Sequence, residues 1–373
     1  MLQQLREPGR TLSRDAYTSN EVFEADIRNV FFHSWLFVCH ESQLPEPGCF
    51  LTYELANESI ILTRDEQGQI RGMFNVCRHR GSRVVEEQCG KTKCMVCPYH
   101  QWVYGMDGSL RSAPQMNDQL DHSDWQMYPV RVENWNGFLY VWLGEDEPDE
   151  TANDMLAPAT TALASHNLAN AKLAKRIDYD VPANWKLFME NYRECYHCRG
   201  AHPEFCATVP VNELDDHRGD QSARLISREN CTFTRYAVRE GATTDSIDGQ
   251  PVSIPFGSLT SNDTDLHGLC FYPGHAMVIG HDNIMAFCVL PISPTVSRLT
   301  AQWYVNADAQ EGKDYEPDKV AAFWDVTNRQ DIELCRVNQL GVNSRRYTPG
   351  PYSAAQEDDV EHFLDFYTSL MQR

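Results

Sequence analysis

Cys77-Arg78-His79, seventeen residues, then Cys97-Pro98-Tyr99-His100: this run decides how the rest of the chain reads. Two Cys-His pairs on separate loops can hold a [2Fe–2S] cluster, with two thiolates on one iron and two imidazoles on the other. Such ligation raises the reduction potential above that of an all-cysteine cluster. The centre can then take electrons from a ferredoxin-type donor and pass them onward. Zinc is the competing reading, because Cys89 and Cys94 lie between the pairs and Cys94-x-x-Cys97 alone matches half a zinc ribbon. A ribbon, however, pairs two similar knuckles. Here both halves are Cys-then-His with unequal spacers. Cys77, His79, Cys97 and His100 are the expected ligands, and Cys89 and Cys94 are expected to carry no metal.

Composition narrows the function classes. A chain of 373 residues, 42% of them apolar, has room for two domains with sizeable cores. The net charge of −21 argues against nucleic acid or an anionic membrane as a partner and is compatible with a cationic substrate. No run reaches spanning length, and Met1-Leu2-Gln3-Gln4-Leu5-Arg6 shows no apolar leader core. Thirteen cysteines without such a leader imply reduced thiols in the cytoplasm.

Outward from the first motif, residues 19–38 are expected to form a helix running into an aromatic-rich segment, with Thr18 and Glu21 as a capping box. Pro45, Pro47 and Gly48 open a β-rich region. Strands are expected at 59–63 and 71–76 around a turn at 65–68, and another at 137–143. The acidic run 145–150 is the expected linker. A second domain is expected to begin near residue 155. In it, Asn184–Arg199 reads as a helix stopped by Gly200, residues 206–265 as turn-rich loops, and 285–290 and 299–305 as strands. A long helix runs from Pro317 to Gly341. A final helix is capped by Ser353 and Gln356, with Val360, Phe363, Leu364, Tyr367 and Leu370 on its face.

Glu190 to Pro203 carries a second constellation. His197 and His202 are five residues apart and would not share a face of a straight helix. A stop at Gly200 lets His202 return toward His197. Two imidazoles so held leave one face of a metal open for a carboxylate, giving the 2-His-1-carboxylate set of non-haem iron oxygenases. On the helix 317–341, Val320, Phe323, Trp324, Leu334 and Cys335 form the apolar stripe. Asp331 falls within that stripe, and Asp325 and Glu333 fall outside it. An inward acid needs a cation or donors to meet it. A metal is one such partner; capping a loop or meeting an arginine are the alternatives.

The wider run Cys77-Arg78-His79-Arg80-Gly81 … Cys97-Pro98-Tyr99-His100-Gln101-Trp102 … Gly108 resembles the Rieske signature. Glu190 to Pro203, together with Gln330-Asp331 … Gln339-Leu340-Gly341, resembles the mononuclear-iron motif of Rieske non-haem iron oxygenases. The resemblance covers nearly the whole chain. It implies an α+β protein: an antiparallel β Rieske [2Fe–2S] domain over 46–148, plus a helix-grip (START-like) catalytic domain over 149–373 with an antiparallel sheet and long helices, on which an N-terminal segment 1–45 packs. It also implies a head-to-tail homotrimer, mononuclear Fe(II) on His197, His202 and Asp331, O2 as co-substrate, and a separate NAD(P)H-dependent flavin/iron–sulfur reductase.

Most of the family has aspartate three residues before the first histidine, where this chain has Glu194. Glutamate is common there in the branch acting on quaternary ammonium compounds. Asn191 to Cys198, Glu311 to Tyr315 and Tyr347 to Ser353 are also similar to betaine demethylases of that branch. The resemblance implies that Glu194 joins His197 to a cluster histidine of the neighbouring subunit, His100, as an electron-transfer bridge. A helical spacing of three places Glu194 and His197 on one face. The expected activity is oxidative N-demethylation of a small cationic substrate, a betaine, with release of formaldehyde. The alternatives are C-hydroxylation of the choline or carnitine kind, and an aromatic ring-hydroxylating α subunit. A cation site would be an aromatic cage, with Phe188, Tyr192, Phe205, Tyr236, Phe271, Tyr272, Trp303 and Tyr304 as candidates.

Overall fold

The computed structural model describes residues 5–116, 120–210 and 224–372. The chain forms two compact units, Phe37–Glu147 and Met1–Leu36 with Pro148–Arg373. Residues 211–223 of the turn-rich stretch lie outside the described residues.

The 37–147 unit is built from short strands: β1 (Leu36–His40), β2 (Cys49–Leu55), β3 (Glu58–Arg64), β4 (Ile70–Phe74), β5 (Cys89–Lys91), β6 (Met95–Val96), β7 (Val103–Tyr104), β8 (Leu110–Ser112), β9 (Pro129–Trp135) and β10 (Phe138–Trp142). One sheet has the order β1-β10-β9-β4-β3-β2-β5, and β6-β7-β8 form a second. The β3–β4 turn is set by its side chains. Asp65 Oδ1 accepts from the backbone N–H of Gln67 (3.0 Å) and Gln69 (2.8 Å), and Gly68 takes φ +79°. Just past β4, the buried Asn75 uses its whole amide. Its Nδ2 donates to Ser59 Oγ and the Val85 carbonyl, and its Oδ1 accepts from Val84 and Val85 N–H. That lock fixes where the Cys77 loop leaves the sheet. The second loop leaves from β6, and a core of Phe50, Ile61, Met73, Met95, Trp102 and Tyr104 packs around Cys77 and Cys97.

The other unit begins with α1 (Arg14–Thr18) and α2 (Asn20–Ala25). The expected 19–38 helix is corrected. It ends at Ala25 and widens to a π turn over Asp26–Phe31, after which the chain enters β1. Asp26, Ile27, Val30 and Phe31 are all buried, and spacings of four and five suit the wider turn. Asp26 is held by Trp185 Nε1 (2.9 Å), Tyr367 Oη (2.8 Å) and an ion pair with the equally buried Lys186. The cap is Ser19 accepting from Val22 N–H, and Thr18 bonds back to the Arg14 carbonyl instead.

Next come α3 (Ala152–Ala162), β11 (Ala171–Val181), α4 (Trp185–Tyr192), α5 (Cys198–Ala201), α6 (Pro203–Thr208), β12 (Arg224–Arg228), β13 (Cys231–Tyr236), β14 (Leu266–Phe271), β15 (His275–Ile279), β16 (Ile284–Ser293), β17 (Val296–Asn306), α7 (Pro317–Val342) and α8 (Asp358–Met371). The strands make one antiparallel sheet of order β11-β17-β16-β15-β14-β13-β12. Helix α7 packs on β11, α4 and α6, the helix-on-sheet arrangement expected. Two details differ from expectation. Leu334 is exposed, leaving Val320, Phe323, Trp324 and Cys335 as the buried stripe of α7. Helix α8 starts at Asp358, and Glu357 Oε2 accepts from Ser353 N–H in front of it, so Ser353 and Gln356 are not its cap. Its face of Val360, Phe363, Leu364, Tyr367 and Leu370 is buried as expected. No described helix is long and apolar enough to cross a membrane.

Candidate metal centres

The two loops of the 37–147 unit are built alike despite their unequal Cys-His spacing. In one, the Cys77 carbonyl accepts from Gly81 N–H and Cys77 N–H donates to the Ser82 carbonyl. In the other, Cys97 makes the same pair of bonds with Gln101 and Trp102. The fifth residue of each loop takes positive φ, Gly81 at +78° and Gln101 at +60°. Such a repeated loop presents one thiol and one imidazole from each side. Cys77 and Cys97 are buried, and the two histidine Nδ1 atoms stand 3.1 Å apart. The His79 ring stacks on Trp102 (5.0 Å, 9°), which fixes its plane. Tyr104 Oη accepts from Arg78 N–H (3.0 Å), so its own hydrogen is free for Cys77 Sγ at 3.3 Å. Cys89 is exposed on β5, paired with Leu51 away from the ligand loops.

The second constellation is reached by a different route from the expected one. Helix α4 is capped by Asn184, whose Oδ1 accepts from Lys186 N–H. It ends at Tyr192, five residues before His197, and Gly200 lies inside α5 without positive φ. The break belongs to Glu194. Its Oε2 accepts from the backbone N–H of Tyr196 and of His197 (3.2 Å), replacing helical carbonyls. Its Oε1 meets His197 Nδ1 at 2.5 Å. The Glu194–His197 contact is therefore made across a turn and not along a helix face. Arg193 anchors the same turn, reaching Thr232 Oγ1 (2.9 Å) and Asp359 (3.0 Å).

His197, His202 and Asp331 come together. His197 Nε2 lies 3.0 Å from His202 Nε2, and Asp331 Oδ1 lies 3.2 Å and 2.9 Å from them. Donors about 2.1 Å from a six-coordinate ion and cis to one another lie about 3 Å apart. Both Nδ1 atoms are already engaged, His197 by Glu194 and His202 by Gln330 Oε1 at 2.8 Å. Neutral imidazoles so held turn lone pairs toward the carboxylate, and Asp331 Oδ1 is buried without a hydrogen-bond donor among the described residues. Three converging acceptors repel unless positive charge lies among them. Protons can supply it. Burial opposes charge on His197, yet Asp331 and Glu194 outweigh burial and raise its pKa to about 10, and the histidines hold Asp331 low against its own burial. A divalent cation supplies the same charge at one point, so the donor set fits a metal.

Among the described residues, Cys198 also lies close by, with Sγ 4.0 Å from His197 Nε2. Contact with the Cys195 thiol and burial raise its pKa, so it remains a neutral thiol, and Asp331 is the nearer and charged donor. The other acids of α7 are engaged elsewhere: Asp318 by Lys175 (2.8 Å), Asp325 by Tyr179 Oη (2.6 Å) and Arg329, Glu333 by Arg336. Gln330 stands in the resembling motif beside Asp331, but no spacing signal gave its contact with His202, and none pointed to Glu204. Of the aromatic candidates, Tyr192 packs its ring on Phe287 (4.6 Å). By strand register Trp303 and Tyr236 share the sheet face of Phe287, whereas Phe271 and Tyr304 point to the opposite face. Tyr272 packs on α8.

Residues 34–132 match the Rieske [2Fe-2S] domain, and residues 168–373 match the ring hydroxylating alpha subunit (catalytic domain). The glycine betaine monooxygenase oxygenase subunit of Chromohalobacter salexigens is 37% identical over 100% of this chain and 88% of its own length. The carnitine monooxygenase oxygenase subunit of Escherichia coli is 29% identical, with 97% and 94% covered. The quaternary ammonium Rieske monooxygenase CntA superposes with a TM-score of 0.82 at 25% identity over 100% of this chain and 99% of that one. Naphthalene 1,2-dioxygenase from a Rhodococcus species shares the fold, with a TM-score of 0.76 at 20% identity over 99% and 96%. This chain belongs to the Rieske non-haem iron monooxygenase family, as an oxygenase subunit whose cofactors are a [2Fe–2S] cluster and a mononuclear iron that uses O2.

Proposed function

We propose that the chain is the oxygenase component of a system that demethylates a quaternary ammonium compound, with glycine betaine the first candidate. The triangle of His197 Nε2, His202 Nε2 and Asp331 Oδ1 carries the reading. Its three sides near 3 Å suit three donors gathered on one side of a divalent ion, and iron held so would keep open positions for O2 chemistry. Bound there, iron supplies O2 activation for hydroxylating an N-methyl carbon. The carbinolamine then collapses to formaldehyde and the tertiary amine. Similarity to glycine betaine and carnitine enzymes supports the substrate class. So does Glu194, whose longer side chain fits that branch.

The protein's own side chains hold and orient. Glu194 takes the Nδ1 proton of His197 and so aims its other nitrogen inward. Tyr192, Tyr236 and Trp303 offer aromatic faces to a cation from one side of the sheet. Cys77, His79, Cys97 and His100 would hold the [2Fe–2S] cluster, fed by a separate NAD(P)H-dependent reductase in the cytoplasm. In a head-to-tail homotrimer the cluster of one copy serves the Glu194 of the next.

Two experiments bear on this. Cys97→Ser replaces a soft ligand by a poor one. The visible cluster absorption and all turnover should vanish, and an unchanged brown spectrum would remove Cys97 from the ligand set. Wild-type protein with reductase, NADH and O2 should release formaldehyde from glycine betaine, stachydrine or carnitine, and none from naphthalene. Turnover of aromatics alone, with every betaine inert, would overturn the reading.

A further inference from the structure

His202 differs from His197 in how its second nitrogen is held. His197 is backed directly by a carboxylate. His202 is gripped at both nitrogens by consecutive residues of α7: Asp331 Oδ1 lies 2.9 Å from Nε2, and Gln330 Oε1 lies 2.8 Å from Nδ1. An amide is not a one-way partner. Turned over, Gln330 would present its NH2 group to Nδ1, and Nδ1 would have to accept. The imidazole proton would then sit on Nε2, hydrogen-bonded to Asp331, and no lone pair would face the triangle. Something must hold the amide the right way round.

We propose that Glu204 does so, as a remote positioning residue that fixes the tautomer of His202 through Gln330. Gln330 Nε2 donates to Glu204 Oε2 at 2.9 Å. An ionised carboxylate only accepts, so it keeps the NH2 group outward and Oε1 toward His202. The proton is thereby kept on Nδ1, and Nε2 is left free for a metal. Glu204 lies two residues after His202, in the first turn of α6, and is partly exposed. The relay thus links the segment that carries His202 to the helix that carries Asp331. It rests on the proposed iron site and adds a residue that touches neither ligand atoms nor substrate.

Glu204→Lys tests it. An ammonium group can only donate, so it draws the Gln330 oxygen outward and turns the NH2 group toward His202. The full-length protein, with its cluster in place and its mononuclear metal removed by chelation, is titrated anaerobically with Fe(II) by calorimetry. Glu204→Lys should bind Fe(II) about 10- to 100-fold more weakly, the usual effect of losing an outer partner. Its cluster absorption should be unchanged. Glu204→Gln keeps an acceptor without the charge and should stay within about threefold of wild type. In Gln330→Met, which has no amide to turn, adding Glu204→Lys should cost nothing further beyond about threefold. Wild-type affinity in Glu204→Lys would overturn the relay. So would an equal loss in the Gln330→Met background, which would mark a simple charge effect. Failure of the iron site itself reads differently: Asp331→Ala would then bind Fe(II) like wild type, and the relay would fall with it.

Discussion

Asp331→Ala is expected to empty the mononuclear site and end oxygenation while leaving the cluster untouched. The variant should carry about two irons per chain in place of about three. The reason is local. Asp331 is buried on α7, and its Oδ1 is the sole anionic corner of the triangle. Without it, two imidazoles remain, and among the described residues no free donor stands ready to take over. Asp325 is tied to Tyr179 and Arg329, Glu333 to Arg336, and the Cys198 thiol stays protonated. Affinity for Fe(II) should therefore fall by more than the roughly 100-fold that loss of an outer partner costs. Iron analysis beside the visible spectrum checks this. Full iron with full activity would mean that another group is the third ligand.

Glu194→Gln is expected to fill both metal sites, accept electrons from the reductase, and yet fail to pass them on. Glu194 makes two kinds of contact with two oxygens. Oε1 takes the His197 Nδ1 proton, and Oε2 takes backbone N–H groups of the turn. Glutamine has one acceptor. If its oxygen faces Nδ1, its NH2 group meets backbone donors; if it faces the turn, Nδ1 loses its acceptor. Either way the carboxylate that would link His197 to a cluster histidine of the neighbouring copy is gone. Single-turnover product should fall by about 100-fold, the upper end for loss of a partner to a metal-bound histidine. Glu194→Asp should recover part of it. Wild-type reoxidation of the cluster by substrate and O2 in Glu194→Gln would rule out the bridge.

The cluster loops were legible because all the residues expected to hold the cluster are local. Spacing within each loop survives folding, and Gly81 marks one turn outright. Its counterpart, Gln101, carries no such mark, although it adopts the same backbone. Asp331 was legible for another reason. A helix of 26 residues keeps its phase, so an acid inside an apolar stripe stands out. The helix end before His197 was misread because side chains, not glycine, decide it. Glu194 competes for backbone N–H groups, and that competition depends on His197 already being in place. The π turn at Asp26 likewise follows from a tertiary partner, Lys186, 160 residues away. Glu204 left no trace, and Gln330 showed only as the motif neighbour of Asp331, since an amide and a partly exposed acid are ordinary residues until the fold sets them in line.

A single turnover without reductase tests the proposed function most directly. Protein whose cluster has been reduced chemically is freed of reductant and mixed with O2 and glycine betaine, stachydrine or carnitine. Formaldehyde should appear with at least one of them, in step with reoxidation of the cluster and in proportion to the mononuclear iron present. Reoxidation with no formaldehyde from any quaternary amine, or product from naphthalene in its place, would contradict the assignment.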